Sequence, residues 1–247
     1  MNFKDHFSAH AANYAEARPH YPPELFEWLA KQCPRRRLAW DAGCGNGQAS
    51  VALAQYFGEV YATDPSAAQI ANAIPHERVQ YEVEGAEDCH LGDHTANLVT
   101  VAQAYHWFDH ARFCQEARRV LASDGVVALW SYAESSVLPG VDAIVDELHH
   151  VTLGADWPPE RQHVLDRYRE LPFPFRPIPA PAFDMHAEWN LHQYLAYLSS
   201  WSAVQRYQKR TGEDPVAAVG DAMRAAWGDP EVALTVQWPL LLLVGRR

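Results

Sequence analysis

The chain is poor in cysteine. It has four, at positions 33, 44, 89 and 114, and no two form a CxxC pair, which argues against a disulfide scaffold or a zinc ribbon. Basic residues are in deficit too, 20 against 31 acidic, and the formal charge of -11 would repel nucleic acid and anionic membrane over most of the surface. Neither partner is expected. No apolar run approaches the roughly 18 residues of a membrane span. The opening residues Met1-Asn2-Phe3-Lys4-Asp5-His6 lack the basic flank and apolar stretch that direct export, so a cytoplasmic protein with reduced thiols is expected. There is no internal repeat and no low-complexity tail. At 247 residues one core suffices, and at this length roughly 75% of the unfolded surface can be buried.

One glycine is also missing, and its absence narrows the ligand. The segment Leu38-Ala39-Trp40-Asp41-Ala42-Gly43-Cys44-Gly45-Asn46-Gly47 sets an acid and three alternating glycines behind a short apolar run, as in a strand that ends in a ligand-wrapping loop. Apolar Ala49, Val51, Ala52, Leu53 and Ala54 continue it as an amphipathic helix. A dinucleotide fingerprint needs its third glycine at position 48, where this chain has Gln48. Asp41 would moreover repel a pyrophosphate and attract a cation. S-adenosylmethionine, with its sulfonium and α-ammonium, has that chemistry. Further on, Val60-Tyr61-Ala62-Thr63-Asp64 reads as a second strand ending in an acid, the position that holds a ribose diol in nucleotide-binding α/β folds. Both acids have plainer alternatives, Asp41 as a turn cap and Asp64 as the N-cap before Ala67 and Ala68.

Strand and helix patterns alternate as a parallel-sheet α/β protein requires. Strands are expected at 37–42, 59–63, 78–83, 97–103 and 125–131, with helices near 47–57, 66–73 and 110–122, and Asp124-Gly125 as the turn into the fifth strand. After Tyr132 the rhythm breaks into a helical stretch and a proline-dense run, residues 172–181, which reads as a packed extended segment of a lid. A strand near 183–189, a long helix from Leu191 to about Tyr207, a shorter one from Pro215 to Trp227 and a buried apolar strand, Trp238 to Val244, complete the pattern. Pro239 fits only the first residues of that strand.

On these motifs the chain resembles the class I S-adenosylmethionine-dependent methyltransferases, and within them the small-molecule group that includes trans-aconitate methyltransferase. The likeness rests on Asp41 to Gly47, on Asp64, on the Gly85-Ala86-Glu87 turn, on Val101 to Asp109, on Arg119-Val120-Leu121, and on an N-terminal Y-x-x-x-R-P-x-Y-P segment from Tyr14 to Pro22. It implies a Rossmann-like seven-stranded sheet with one antiparallel strand and a helical, proline-rich lid. It divides the chain into an N-terminal gate and helix (1–36), a cofactor-binding core (37–132), a lid insertion (133–182) and C-terminal strands and helices (183–247). S-adenosyl-L-methionine is the implied cofactor, held by Tyr14, Arg18, Asp41, Gly43, Cys44, Gly45, Gly47, Asp64, Pro65, Ser66, Ala86, Glu87, Gln103 and Ala104. Many relatives carry Asp where Gly85 stands, so Glu87 or Asp88 would have to take the adenine amino group.

The implied partner is a small-molecule methyl acceptor, in a monomer or homodimer. Tyr21, His106 and Trp107 are its expected pocket, and His106 is the candidate catalytic base. The plainer alternative makes Trp107 and Phe108 core and His106 a structural histidine. A carboxylic acid is the favoured acceptor, for which Arg161, Arg167, Arg169 and Arg176 of the lid supply cations. No metal is expected, since neither Cys89-His90 with His94 nor His149-His150 with His163 has zinc-site spacing. Two other classes use similar parts. A nicotinamide-dependent oxidoreductase is opposed by Gln48 and Asp41, and a non-catalytic cofactor-binding protein by the segment Gln103 to Asp109.

Overall fold

The computed structural model describes residues 19–247. Five parallel strands form its centre: β1 (Leu38–Ala42), β2 (Glu59–Thr63), β3 (Val79–Glu82), β4 (Ala96–Ala102) and β5 (Leu121–Tyr132). Three more follow, β6 (Arg176–Pro177), β7 (Asp184–Trp189) and β8 (Leu234–Arg246), in the order β3-β2-β1-β4-β5-β8-β6 with β7 paired to β8. β1 is buried along its whole length and β4 over all but its last residue, because helices cover both faces of a parallel sheet. Along β1, Leu38, Trp40 and Ala42 face one core layer and Ala39 the other, the two-residue period of a pleated strand.

Strand order reverses between β1 and β4. In open α/β sheets ligands bind at such a switch point, outside the carboxyl ends of the strands.

The final strand departs from its expected form. β8 runs 13 residues, and Pro239 sits near its middle, where pairing passes from β7 (Leu234 to Pro239) to β5 (Leu240 to Arg246). Leu240 to Leu243 are only half-buried, since β6 on that side is two residues long and reaches only Gly245 and Arg246. Asp124-Gly125 also differs from expectation. Ala96 pairs with Leu121 and Leu98 with Val126, so the expected turn is a bulge inside β5.

Two helices expected to be continuous are broken. Leu191–Ser199 and Ser202–Thr211 are separated at Trp201, which has extended backbone, while Ser200 donates its hydroxyl to the Tyr197 carbonyl at 2.6 Å. Pro215–Ala218 and Gly220–Trp227 are divided at Val219. Together with the β7–β8 ribbon these helices enclose a third core, built on Tyr194, Tyr197, Trp201, Met223 and Trp238.

Candidate active site

The glycine loop lies at the carboxyl end of β1, and Gly43, Gly45 and Gly47 all have positive φ. At Gly43 (φ +70°) a Cβ would stand 2.7 Å from Ala104 Cβ and 3.0 Å from Phe108, so only glycine lets this loop pack on the one after β4. The backbone N–H groups of Gly43 and Cys44 donate to the Thr63 carbonyl at 2.8 and 2.9 Å. Asp64 completes the attachment by accepting from Gly45 N at 3.0 Å and Ser66 N at 2.9 Å. The helix Ala67–Ala71 is capped by Ser66, not by Asp64. Gly45 keeps an open side, where a Cβ would meet nothing nearer than 3.9 Å, and this leaves the room a cradle for a cofactor needs. Gln48, the residue that breaks the dinucleotide pattern, donates to the Pro19 carbonyl at 3.2 Å.

Asp41 corrects an expectation. Its carboxylate is fully buried, accepting hydroxyl bonds from Ser50 at 2.6 Å and Thr100 at 2.9 Å, so it braces the loop from beneath. Burial pushes its pKa up to about 6, against those two bonds.

Ala86 is buried beyond the end of β3, and Glu87 accepts from the Asp109 backbone N–H at 2.9 Å, tying the turn after β3 to the segment after β4. Gln103 follows β4 with φ +56°, and its amide donates to the Tyr132 carbonyl at 3.0 Å. The expected cofactor residues Pro65, Ser66, Ala86, Glu87, Gln103 and Ala104 thus gather, with the glycine loop, at the carboxyl edge of β1 to β4. Tyr14 and Arg18 lie outside the described residues.

Beside this edge opens a cleft whose walls include Gln103, His106, Trp107, Trp157, Arg161 and Trp201. His106 sits in the short 3-10 turn Tyr105–Trp107, with Nδ1 3.0 Å from the Tyr168 hydroxyl. Tyr168 is buried at φ +55°, directly after Arg167 at φ +57°, and this left-handed pair turns its ring inward. Burial, then the cations Arg161, His163 and His110, push the His106 pKa down to about 3. Its ring is therefore neutral through the physiological range and a weak base, which disfavours the candidate role of catalytic base.

Of the four arginines expected to supply cations for the acceptor, Arg161 alone lines the cleft; Arg167, Arg169 and Arg176 are exposed. Tyr21 is not part of its wall either. That ring packs edge-on against Trp130 at 5.6 Å and Phe26 at 6.4 Å, where the core on the other face of the sheet holds it. Trp157, Tyr197 and Trp201 are walls that the sequence reading did not single out for the site.

Comparison with known proteins agrees with this geometry. Residues 40–129 match a methyltransferase domain family, from the middle of β1 into β5. A protein of Dictyostelium discoideum described as a methyltransferase is 31% identical over 99% of this chain and 96% of its own length. The chain belongs to the class I S-adenosylmethionine-dependent methyltransferases. A solved structure from Anaeromyxobacter dehalogenans, described as a type II methyltransferase, superposes with a TM-score of 0.87 at 48% identity, covering 93% of this methyltransferase and 97% of that chain. An uncharacterised methyltransferase of Mycobacterium bovis is 33% identical over 70% of the chain and 66% of its own length. S-adenosylmethionine is thus the cofactor of this fold, and the open side of Gly45 and the Asp64 carboxylate fit it. Among the described residues no helix is long and apolar enough to cross a membrane.

Proposed function

We propose that this methyltransferase methylates a small organic acid on a carboxylate oxygen. The observation that carries the proposal is Arg161, a cation in the wall of a cleft to which Trp107, Trp157 and Trp201 also contribute. Aromatic walls exclude water and leave the guanidinium to select a planar anion through paired N–H donors. His106 supports the same acceptor. A group with its pKa near 3 cannot take a proton from an alcohol or phenol at neutral pH, whereas a carboxyl group, titrating near 4, is already ionised. In the tautomer where the Tyr168 hydroxyl donates to Nδ1, the ring proton sits on Nε2 and His106 serves as a donor to an acceptor oxygen.

When bound, the cofactor supplies a methyl group on a positively charged sulfur, so that a C–O bond forms as the C–S bond breaks and its electron pair returns to sulfur. No proton has to leave. The chain's own task is to align the reactants and exclude water, and proximity of that kind is worth about 7 to 11 kcal/mol. Asp64 and the Gly43–Gly47 loop, with Cys44, Pro65, Ser66, Ala86, Glu87, Gln103 and Ala104, are the proposed cofactor contacts; Asp41 is the brace under them. The narrower likeness to the trans-aconitate group rests on sequence motifs.

The test pairs two variants in a methyl-transfer assay. Arg161→Gln should raise KM for an acid acceptor about 10- to 150-fold, the range for a hydrogen bond to a charged group. His106→Asn should leave a pH profile without a step between 6 and 7. A thousandfold loss of kcat in His106→Asn, with loss of such a step, would make it a base and refute the carboxylate.

A further inference from the structure

A carboxylate oxygen without a partner marks a second site, outside the cleft. Glu134 follows β5 by two residues, and its Oε1 is buried with no hydrogen bond among the described residues. Burying an anionic oxygen unpaired is costly, and an orphan of this kind points to a group that completes it. Two imidazoles face it, His149 Nε2 at 3.7 Å and His150 Nε2 at 3.8 Å.

The local fold brings these rings to one side. Consecutive residues of an α-helix point about 100° apart and do not face each other. His149 and His150 lie instead in the π-helical turn Glu147–Thr152, where their ring centroids are 4.5 Å apart, and such insertions are frequent at functional sites. In sequence the pair stands near His163, but that ring packs edge-on to His110 at 5.7 Å, and Glu134 takes its place. Each of Glu134, His149 and His150 offers one ligand atom within 4.8 Å of the other two.

The donor set says which ion these atoms suit. Two imidazole nitrogens and one carboxylate oxygen match Zn²⁺ and its neighbours Co²⁺ and Ni²⁺, whereas Mg²⁺ and Ca²⁺ are held by oxygens. Burial, then Arg161, push the His149 pKa down to about 3, so at neutral pH that ring is uncharged, the form that ligates. Zinc bonds of about 2.0 to 2.2 Å in a tetrahedron set ligand atoms about 3.3 to 3.5 Å apart, so the two Glu134 contacts need close by only about half an ångström.

We propose that Glu134, His149 and His150 form a site for one zinc-class divalent ion, bound through Glu134 Oε1 and the two Nε2 atoms, with the fourth position left to water. Asp146 Oδ1, 3.9 Å from His150 Nε2, stands beside it as an outer partner. Binding replaces two long contacts: the Arg161 Nε–H donates to His149 Nε2 at 3.3 Å, and the two Nδ1 atoms are 3.3 Å apart. Arg161 keeps its stacking over the Trp157 ring at 4.2 Å, and with it its place in the cleft wall. With both Nε2 atoms ligated each Nδ1 carries a proton, so the exposed His150 ring turns its Nδ1 to water. The ion then ties the segment after β5 to the turn that follows the helix Pro139–Asp146. None of its three ligands lines the cleft, so the site is independent of the acceptor proposed above.

Metal titrations test it without any methyl transfer. Full-length protein, free of any polyhistidine tag and treated with chelator, is titrated at pH 7.5 with Co²⁺, whose visible absorption reports its coordination. Zn²⁺ and Mg²⁺ then compete, and melting curves check that each variant is folded. Wild type should take up one Co²⁺, displaced by one Zn²⁺ and not by Mg²⁺. Glu134→Gln and His150→Ala should weaken Zn²⁺ binding by more than the roughly 10- to 100-fold that loss of an outer-shell partner costs, while His90→Ala should not change it. Arg161→Gln, which removes a neighbouring charge, should tighten it. No saturable uptake, wild-type affinity in Glu134→Gln or His150→Ala, a loss in His90→Ala, equal competition by Mg²⁺, or no tightening in Arg161→Gln would each overturn the site.

Discussion

Replacing Asp64 by alanine separates its proposed contact with the cofactor from its role in the loop. The carboxylate accepts from Gly45 N and Ser66 N, so the variant loses two charge-assisted bonds as well as the acceptor for a ribose diol. Hydrogen bonds to charged groups contribute about 1.5 to 3 kcal/mol, and the diol bond alone should lower affinity about 10- to 150-fold. Both backbone groups stay near solvent at a half-buried residue, and water replaces part of what they lose. Calorimetry with S-adenosylhomocysteine measures the affinity, and a melting curve separately shows that the fold persists. Asp64→Asn keeps one carbonyl oxygen and should fall between alanine and wild type. If the alanine variant binds as well as wild type, Asp64 serves only the loop and the ribose assignment is wrong.

Two further substitutions probe the same edge. Asp41 has its pKa raised to about 6 in the fold, against about 3.9 unfolded, so its contribution to stability is complete below pH 4 and is lost as pH rises through 6. Asp41→Asn should therefore stabilise the protein at pH 8 by on the order of 2 to 3 kcal/mol, a gain that vanishes near pH 4; urea unfolding giving the same difference at both pH values would refute the burial argument. Gly43→Ala meets left-handed strain and the Ala104 contact at 2.7 Å, whereas Gly212→Ala at φ +80° has nothing within 4 Å, so Gly43→Ala should cost more by about 1 to 3 kcal/mol. Equal losses in thermal unfolding would mean the loop yields without difficulty.

The parallel half of the sheet was legible because its strands are short apolar runs ended by acids and glycines, and β1, β2 and β4 lie within a residue or so of their expected bounds. Long-range packing decided the rest. Trp201 breaks a helix that period alone makes continuous, since its ring fits against Tyr197 at 5.9 Å and Trp157 at 5.4 Å. Pro239 is tolerated in mid-strand where β8 changes neighbours, an event with no local signal. In the site, the glycines and Asp64 announced themselves by spacing. Asp41 was misjudged in orientation, because the two hydroxyls that bury it stand 9 and 59 residues away. Arg161 could not be told from Arg167 or Arg169 without its place in the fold, and the depressed His106 has no mark in sequence.

The most direct test of the central claim is a mass-spectrometric screen in which this protein, with S-adenosylmethionine, is offered matched sets of small carboxylic acids, phenols, alcohols and amines at pH 7.5. The account expects methyl esters of one or more acids, formed with equimolar S-adenosylhomocysteine and lost in Arg161→Gln. Methylated phenols, alcohols or amines without any ester, at rates unaffected by Arg161→Gln, would contradict it.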